Sequence, residues 1–146
     1  MKRRWGEYED FRISGIQDFK IFGRILRMEE RRYQRLVAWQ EAYALCLDIY
    51  RLSKKFPSEE KFALTSQLRR AASSVVLNTA EGNAKRSSKE KIRFFETALA
   101  SLDEVHCVCL LAKDLSYCDD EDLVRIGKSI EYVSVLLTKL RASFQS

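Results

Sequence analysis

The chain has 146 residues, the length of one domain, with 46% hydrophobic and 32% charged, enough for a packed core under a solvated surface. One proline and five glycines argue against an all-β chain rich in turns, and no apolar run nears the ~18 residues a membrane span needs. The net charge of +5 sits mostly in residues 1–35, with ten Lys/Arg against six Asp/Glu; residues 36–146 carry sixteen against fifteen, which excludes a uniformly polycationic domain.

Residues 1–35 read as a basic N-terminal extension. Its opening, MKRRWGEYED, is followed by no apolar stretch with a small-residue cleavage site, so no secretory signal is expected. Phe11, Ile13, Ile16, Phe19, Ile21, Phe22, Ile25 and Leu26 make it too apolar for a typical disordered tail, while Gly15 and Gly23 interrupt any helix. From Met28, EERRYQRL reads as a helical run-in.

Residues 36–146 predict four helices. The first covers about 36–55 and holds Trp39, Tyr43, Cys46, Ile49 and Tyr50. The spacing of Trp39, Tyr43 and Tyr50 suits packing, so they are read as core or subunit contact and not as a base-stacking platform. The second covers about 59–81. Pro57 and Ser58 open it, with Glu59 and Glu60 in the first turn. Its stripe of Leu64, Leu68, Ala71, Ala72, Val75, Val76 and Thr79 is narrow and rich in small residues, and Gly82 fits the C′ position, where φ > 0 is required. A capping box of Ser87 and Glu90 starts the third helix, about 88–115. Phe95, Ala98, Leu102, Val105, Cys109 and Ala112 form its apolar face. The short link Ser116–Cys118 forces the next helix to run antiparallel.

The fourth covers about 120–144. Asp119 can cap it, and Asp120, Glu121 and Asp122 meet the positive end of its dipole. Leu123, Ile126, Ile130, Val133, Leu137, Leu140 and Phe144 repeat at three and four. Val124, Tyr132, Val135 and Leu136 lie off this stripe, as residues that meet a partner subunit often do. The fold class expected is all-α, an up-down-up-down antiparallel four-helix bundle.

The stretch NTAEGNAKRSSKEKIRF carries the candidate site. From Arg69 to Arg93 the chain holds seven cations, Arg69, Arg70, Lys85, Arg86, Lys89, Lys91 and Arg93, against Glu81 and Glu90. A P-loop needs a strand before the glycine and G-x-x-x-x-G-K-[ST] after it; here a helix precedes Gly82 and no second glycine follows. What remains is a hinge between helices whose cations are either a solvated face or a surface for phosphates. Asn78 and Glu81 are read as structural, capping nearby backbone or pairing with Arg69 or Arg70.

Other chemistries are not expected. His106 is the only histidine, so Asp103-x-x-His106 cannot complete a di-metal bundle site, and Cys107 and Cys109 cannot share one helix face with it. The four cysteines, Cys46, Cys107, Cys109 and Cys118, form no C-x-x-C pair and suit a reducing cytoplasm as small hydrophobes. With no nucleophile elbow and no Cys–His pair, the expectation is a non-enzymatic protein. It would have no metal, no cofactor, no membrane partner and no small-molecule substrate.

LVAWQEAYALCLDIYRLSKKFP, LTSQLRRAASSVVLNTAEG and KEKIRFFETALASLDEV resemble the small four-helix-bundle proteins encoded in intervening sequences of bacterial 23S rRNA genes. The resemblance spans about residues 34–142 and rests on positions such as Trp39, Pro57, Arg69, Arg70, Asn78, Glu81, Gly82 and Glu104. Thr79 replaces the usual isoleucine, Ala100 the usual glycine, and Asn83 the usual aromatic residue. The first 27 residues lie outside it, as an extension or the product of an upstream start codon. The resemblance implies a ring-like homo-oligomer, a pentamer. It also implies a distant likeness to the accessory protein of diversity-generating retroelements, which works with a reverse transcriptase and nucleic acid. The function expected is therefore an accessory protein that binds RNA or DNA through the seven cations, without reading sequence. The alternative is a protein-interaction scaffold that docks a partner through apolar helix faces.

Overall fold

The structure, a computed structural model, describes residues 30–145. The readings made of residues 1–29 lie outside the described residues. A 3-10 turn at Arg32–Arg35 leads into α1 (Val37–Ser53). A second 3-10 turn, Ser58–Glu60, precedes α2 (Leu64–Ala84), followed by α3 (Ser88–Asp114) and α4 (Asp120–Ala142). Among the described residues there is no strand.

The helices close a ring in which α1 packs on α2 and α4, and α3 packs on the same two. Cross-links between helix ends fix the directions. Arg69, in the second turn of α2, bonds Ser53 at the end of α1. Lys55, just past α1, reaches Asp122 in the first turn of α4. Phe95, near the start of α3, packs on Phe144, just past α4. Each helix therefore runs antiparallel to both neighbours, as the short connections predict. One end of the bundle gathers the start of α1, the α2–α3 hinge and the end of α4. This is the hinge end; the other is the opposite end.

The expected stripes of α2, α3 and α4 do fill the core, with Leu68, Val75, Phe95, Leu102, Val105, Ile126, Val133 and Leu137 almost fully buried. In α1 the core stripe is Ala38, Ala42, Leu45, Ile49 and Leu52. Of the two readings given to Trp39, Tyr43 and Tyr50, core or subunit contact, the first is corrected: Tyr43 and Tyr50 are exposed and Trp39 is half-buried. The two alanines in the true stripe carry little hydrophobic signal, so the aromatics one position along dominate the pattern.

Two further corrections concern α2. It begins at Leu64, because Ser58–Glu60 forms a 3-10 turn and Ala63 leaves the helical region (φ −118°, ψ −106°). The carboxylate of Glu60 then accepts a bond from the Leu64 N–H at 3.0 Å, satisfying one orphan donor. The helix also runs through Gly82 to Ala84. Gly82 is needed for space and not for a left-handed turn: a Cβ there would lie 2.6 Å from Cε1 and 2.9 Å from Cδ1 of the buried Phe95. Its missing side chain lets α3 approach α2 closely.

The helix starts behave nearly as predicted. Ser87 Oγ accepts from the Glu90 N–H at 3.2 Å, while the Glu90 carboxylate accepts a hydrogen bond from the Ser87 hydroxyl at 3.0 Å and not from the backbone N–H of a full capping box. Asp119 and Asp122 form the complete box at the start of α4.

Candidate nucleic-acid interface

Antiparallel packing divides the seven candidate cations between the two ends. Arg70 lies about 22 Å along α2 from Lys85 at 1.5 Å per residue. That is more than two Debye lengths at physiological salt, about 8 Å each, so Arg69 and Arg70 do not add to the field at the hinge.

Arg69 is committed to the fold. Its Nε donates to Ser53 Oγ at 2.8 Å and its guanidinium lies 4.7 Å from the Tyr50 ring centroid, tying α1 to α2. Arg70 is exposed and lines a polar cleft of about 450 Å³ between α2 and α3, with Ser66, Gln67, Ser74 and Glu104. Lys91 is also structural. Its Nζ donates to the Asn83 carbonyl at 2.9 Å, where α2 runs out of intrahelical donors, and lies 5.2 Å from the Phe144 ring centroid.

The remaining four form the hinge surface. Lys85 is half-buried, its ammonium 4.8 Å from the Phe94 ring centroid. Arg86, Lys89 and Arg93 are exposed, and their side chains have no hydrogen-bond or ion-pair partner among the described residues. Lys89 and Arg93 sit one helical turn apart, on one face of α3.

The fold adds cations that sequence order hides. Val37 stands as far before Ser53 as Lys85 stands after Arg69, so the Arg69–Ser53 bond sets the start of α1 level with the hinge. The turn before α1 packs against α2 and brings exposed Arg31 and Arg32 to this end. Lys139 and Arg141 arrive on the last turn of α4. Arg141 reaches Glu96 only at 4.0 Å, and its Nε is buried without a hydrogen-bond partner.

The opposite end uses charge differently. Lys55 Nζ donates to both carboxylate oxygens of Asp122, at 2.7 and 3.0 Å, and Arg125 adds a third bond at 3.3 Å. Lys55 is the main reason the Asp122 carboxyl sits below its usual pKa. Lys113 pairs with Asp120 at 2.9 Å, and Arg51 with Asp48 at 2.6 Å. A cleft of about 490 Å³ there is lined by Lys55, Lys113, Asp120 and Asp122 together with Ser116, Tyr117, Cys118 and Asp119.

Asn78 is structural. Its amide donates to the Ser74 carbonyl at 2.8 Å and to Ser74 Oγ at 3.0 Å, and Ser74 Oγ meets Ser101 Oγ of α3 at 2.8 Å. Glu81 is exposed and pairs with neither Arg69 nor Arg70, which lie three helical turns away. Among the described residues no group of three or more His, Cys, Asp or Glu is placed to hold a metal ion. Burial pushes the Cys109 thiol up to about 12, so it stays protonated. No described helix is long and apolar enough to cross a membrane.

No curated protein matches the chain. A crystal structure at 1.70 Å resolution of a protein of unknown function from the S23 ribosomal protein family of Bacteroides thetaiotaomicron is similar in fold. It aligns with TM-score 0.67 and 22% sequence identity, over 72% of this chain and 98% of that one. The model of the 23S rRNA-intervening sequence protein family matches residues 34–139, the whole bundle from the turn before α1 to the last turn of α4. The chain belongs to the 23S rRNA-intervening sequence protein family.

Proposed function

We propose that the protein is a non-enzymatic, nucleic-acid-associated accessory protein that contacts phosphates through the hinge end of its bundle. One observation carries this reading: Arg86, Lys89 and Arg93 share that end with Arg31, Arg32 and Lys139, and the first three have no acid partner among the described residues. Free cations on a rigid end attract a polyanion by releasing its condensed counterions, without base recognition. The family's link to an intervening sequence of 23S rRNA favours RNA as that polyanion.

The protein self-associates, and the family resemblance favours a ring of five. Val124, Tyr132 and Val135 give α4 an exposed apolar face suited to a subunit contact. A ring repeats the hinge end on every subunit, so modest phosphate contacts combine. The same face supports a second reading, a scaffold that docks a partner protein. Fluorescence anisotropy of a labelled structured RNA at several salt concentrations, with light scattering to count subunits, separates the two. Phosphate contact gives affinity that falls steeply with salt. Absence of binding at low salt leaves the scaffold.

A further inference from the structure

This inference rests on the nucleic-acid reading above and concerns the form of the ligand. Beside the hinge cations, the turn before α1 and α1 itself build a short stack of rings. Tyr33 lies 5.0 Å from Trp39 at 58°, and Trp39 lies 4.9 Å from Tyr43 at 23°, a stacked pair. Trp39 is half-buried between its neighbours, which holds the plane of Tyr43. Tyr43 is 47% exposed, and Leu47 (41%) and Tyr50 (43%) continue its stripe at i+4 and i+7. Arg31 and Arg32 immediately precede Tyr33 in the chain, and Lys85 and Arg86 belong to the same end of the bundle.

A core stripe would bury these rings, and the core of α1 already has Ala38, Ala42, Leu45, Ile49 and Leu52. A solvated helix face would not need three large rings in register. An exposed ring held by stacking, next to unpaired cations, matches what single-stranded nucleic acid requires. Bases stack on aromatic faces while cations follow the phosphates. A duplex keeps its bases stacked on each other and offers this ring no partner. We propose that Tyr43, supported by Trp39 and Tyr33, is a stacking platform for unpaired bases, so that the ligand is single-stranded or looped nucleic acid and not duplex.

The test uses the full chain, a labelled short oligouridylate, and an RNA duplex carrying the same number of phosphates. Anisotropy is read for the unaltered protein, Tyr43→Ala and Tyr43→Phe, with light scattering on each. The unaltered protein is expected to bind the single strand more tightly than the duplex. Tyr43→Ala should weaken single-strand binding on the order of tenfold, the scale of one lost base–ring stack. Duplex binding, the salt slope and the oligomeric mass should stay the same. Tyr43→Phe keeps the ring and should bind as the unaltered protein does. Equal affinity for strand and duplex, with no effect of Tyr43→Ala, overturns the platform and leaves the phosphate surface standing. A fall in mass for Tyr43→Ala assigns the stripe to a subunit contact and also overturns it. Binding of neither RNA at low salt removes the nucleic-acid reading and the platform together.

Discussion

The two ends of the bundle use the same residue types to opposite effect. At the opposite end Lys55, Lys113, Arg51 and Arg125 each lie within 4.0 Å of a carboxylate, while Lys54, Lys61 and Arg70 have no ion-pair partner among the described residues but share that end with the acidic start of α4, Asp119 to Asp122. At the hinge end Arg86, Lys89 and Arg93 have no such partner among the described residues. The paired cations at the first end hold the loops and the start of α4 in place. Those at the second leave a positive field facing solvent. The net charge of the chain is a poor guide to partners; what matters is which cations the fold leaves unpaired.

The largest effect that sharpens this contrast is on binding. Reversing Arg86, Lys89 and Arg93 to Glu is expected to lower RNA affinity on the order of a hundredfold, and to reduce the salt slope by about three, one per lost phosphate contact. Thermal melts of the variant should match the parent, because these side chains hold nothing else in place.

Next comes the packing beneath the hinge. Gly82→Ala places a Cβ 2.6 Å from Phe95 and should destabilise the protein by about 1–3 kcal/mol. The other described helical glycine, Gly127, faces open space, with no atom within 4 Å of where a Cβ would stand, so Gly127→Ala should stabilise by about 0.5–1 kcal/mol. Denaturant melts of the two variants should therefore shift in opposite directions.

The opposite end should respond to acid. The Asp122 carboxylate completes the capping box of α4 by accepting from the Asp119 N–H, and it accepts from Lys55 and Arg125, so Asp122→Asn should cost about 1–3 kcal/mol at neutral pH. Its carboxyl has a lower pKa in the folded state than in the unfolded chain. The unfolded state therefore binds the proton more tightly. The stabilisation is complete above about pH 4 and fades as the pH falls through the folded value. Melts from pH 7 down to pH 2 should show the parent approaching the variant. A smaller gain is expected at the end of α3, where Ser116 holds φ at 62° in a position that suits glycine. Ser116→Gly should stabilise by about 0.5–1 kcal/mol in the same assay.

Much of the fold is legible in the chain because the stripes of α2, α3 and α4 are regular and their caps are local signals. The core face of α1 is not, since Trp39, Tyr43 and Tyr50 outweigh Ala38 and Ala42 in any hydrophobicity pattern. Gly82 looks like a helix terminator because its reason, the Phe95 ring, is thirteen residues away and comes into contact only after the hinge folds back. The candidate site is legible in part. Residues from Lys85 to Arg93 are close in sequence, and the hinge keeps them close in space. That Arg69 is taken up by Ser53, and that Arg31 and Arg32 join the hinge end, depends on the antiparallel return of α1 along α2, and that Lys91 is taken up by Asn83 depends on α3 folding back on α2. No local pattern contains that information.

The most direct test of the contrast compares two charge reversals of equal size. One protein carries Arg86→Glu, Lys89→Glu and Arg93→Glu at the hinge end. The other carries Lys54→Glu, Lys61→Glu and Arg70→Glu, exposed cations at the opposite end. Both change the net charge identically, and anisotropy with one labelled RNA at one low salt concentration reads both. The hinge-end protein should lose affinity on the order of a hundredfold while the opposite-end protein stays close to the parent. Equal losses would show that only net charge matters, and no loss in the hinge-end protein would contradict the assignment of that end as the phosphate surface.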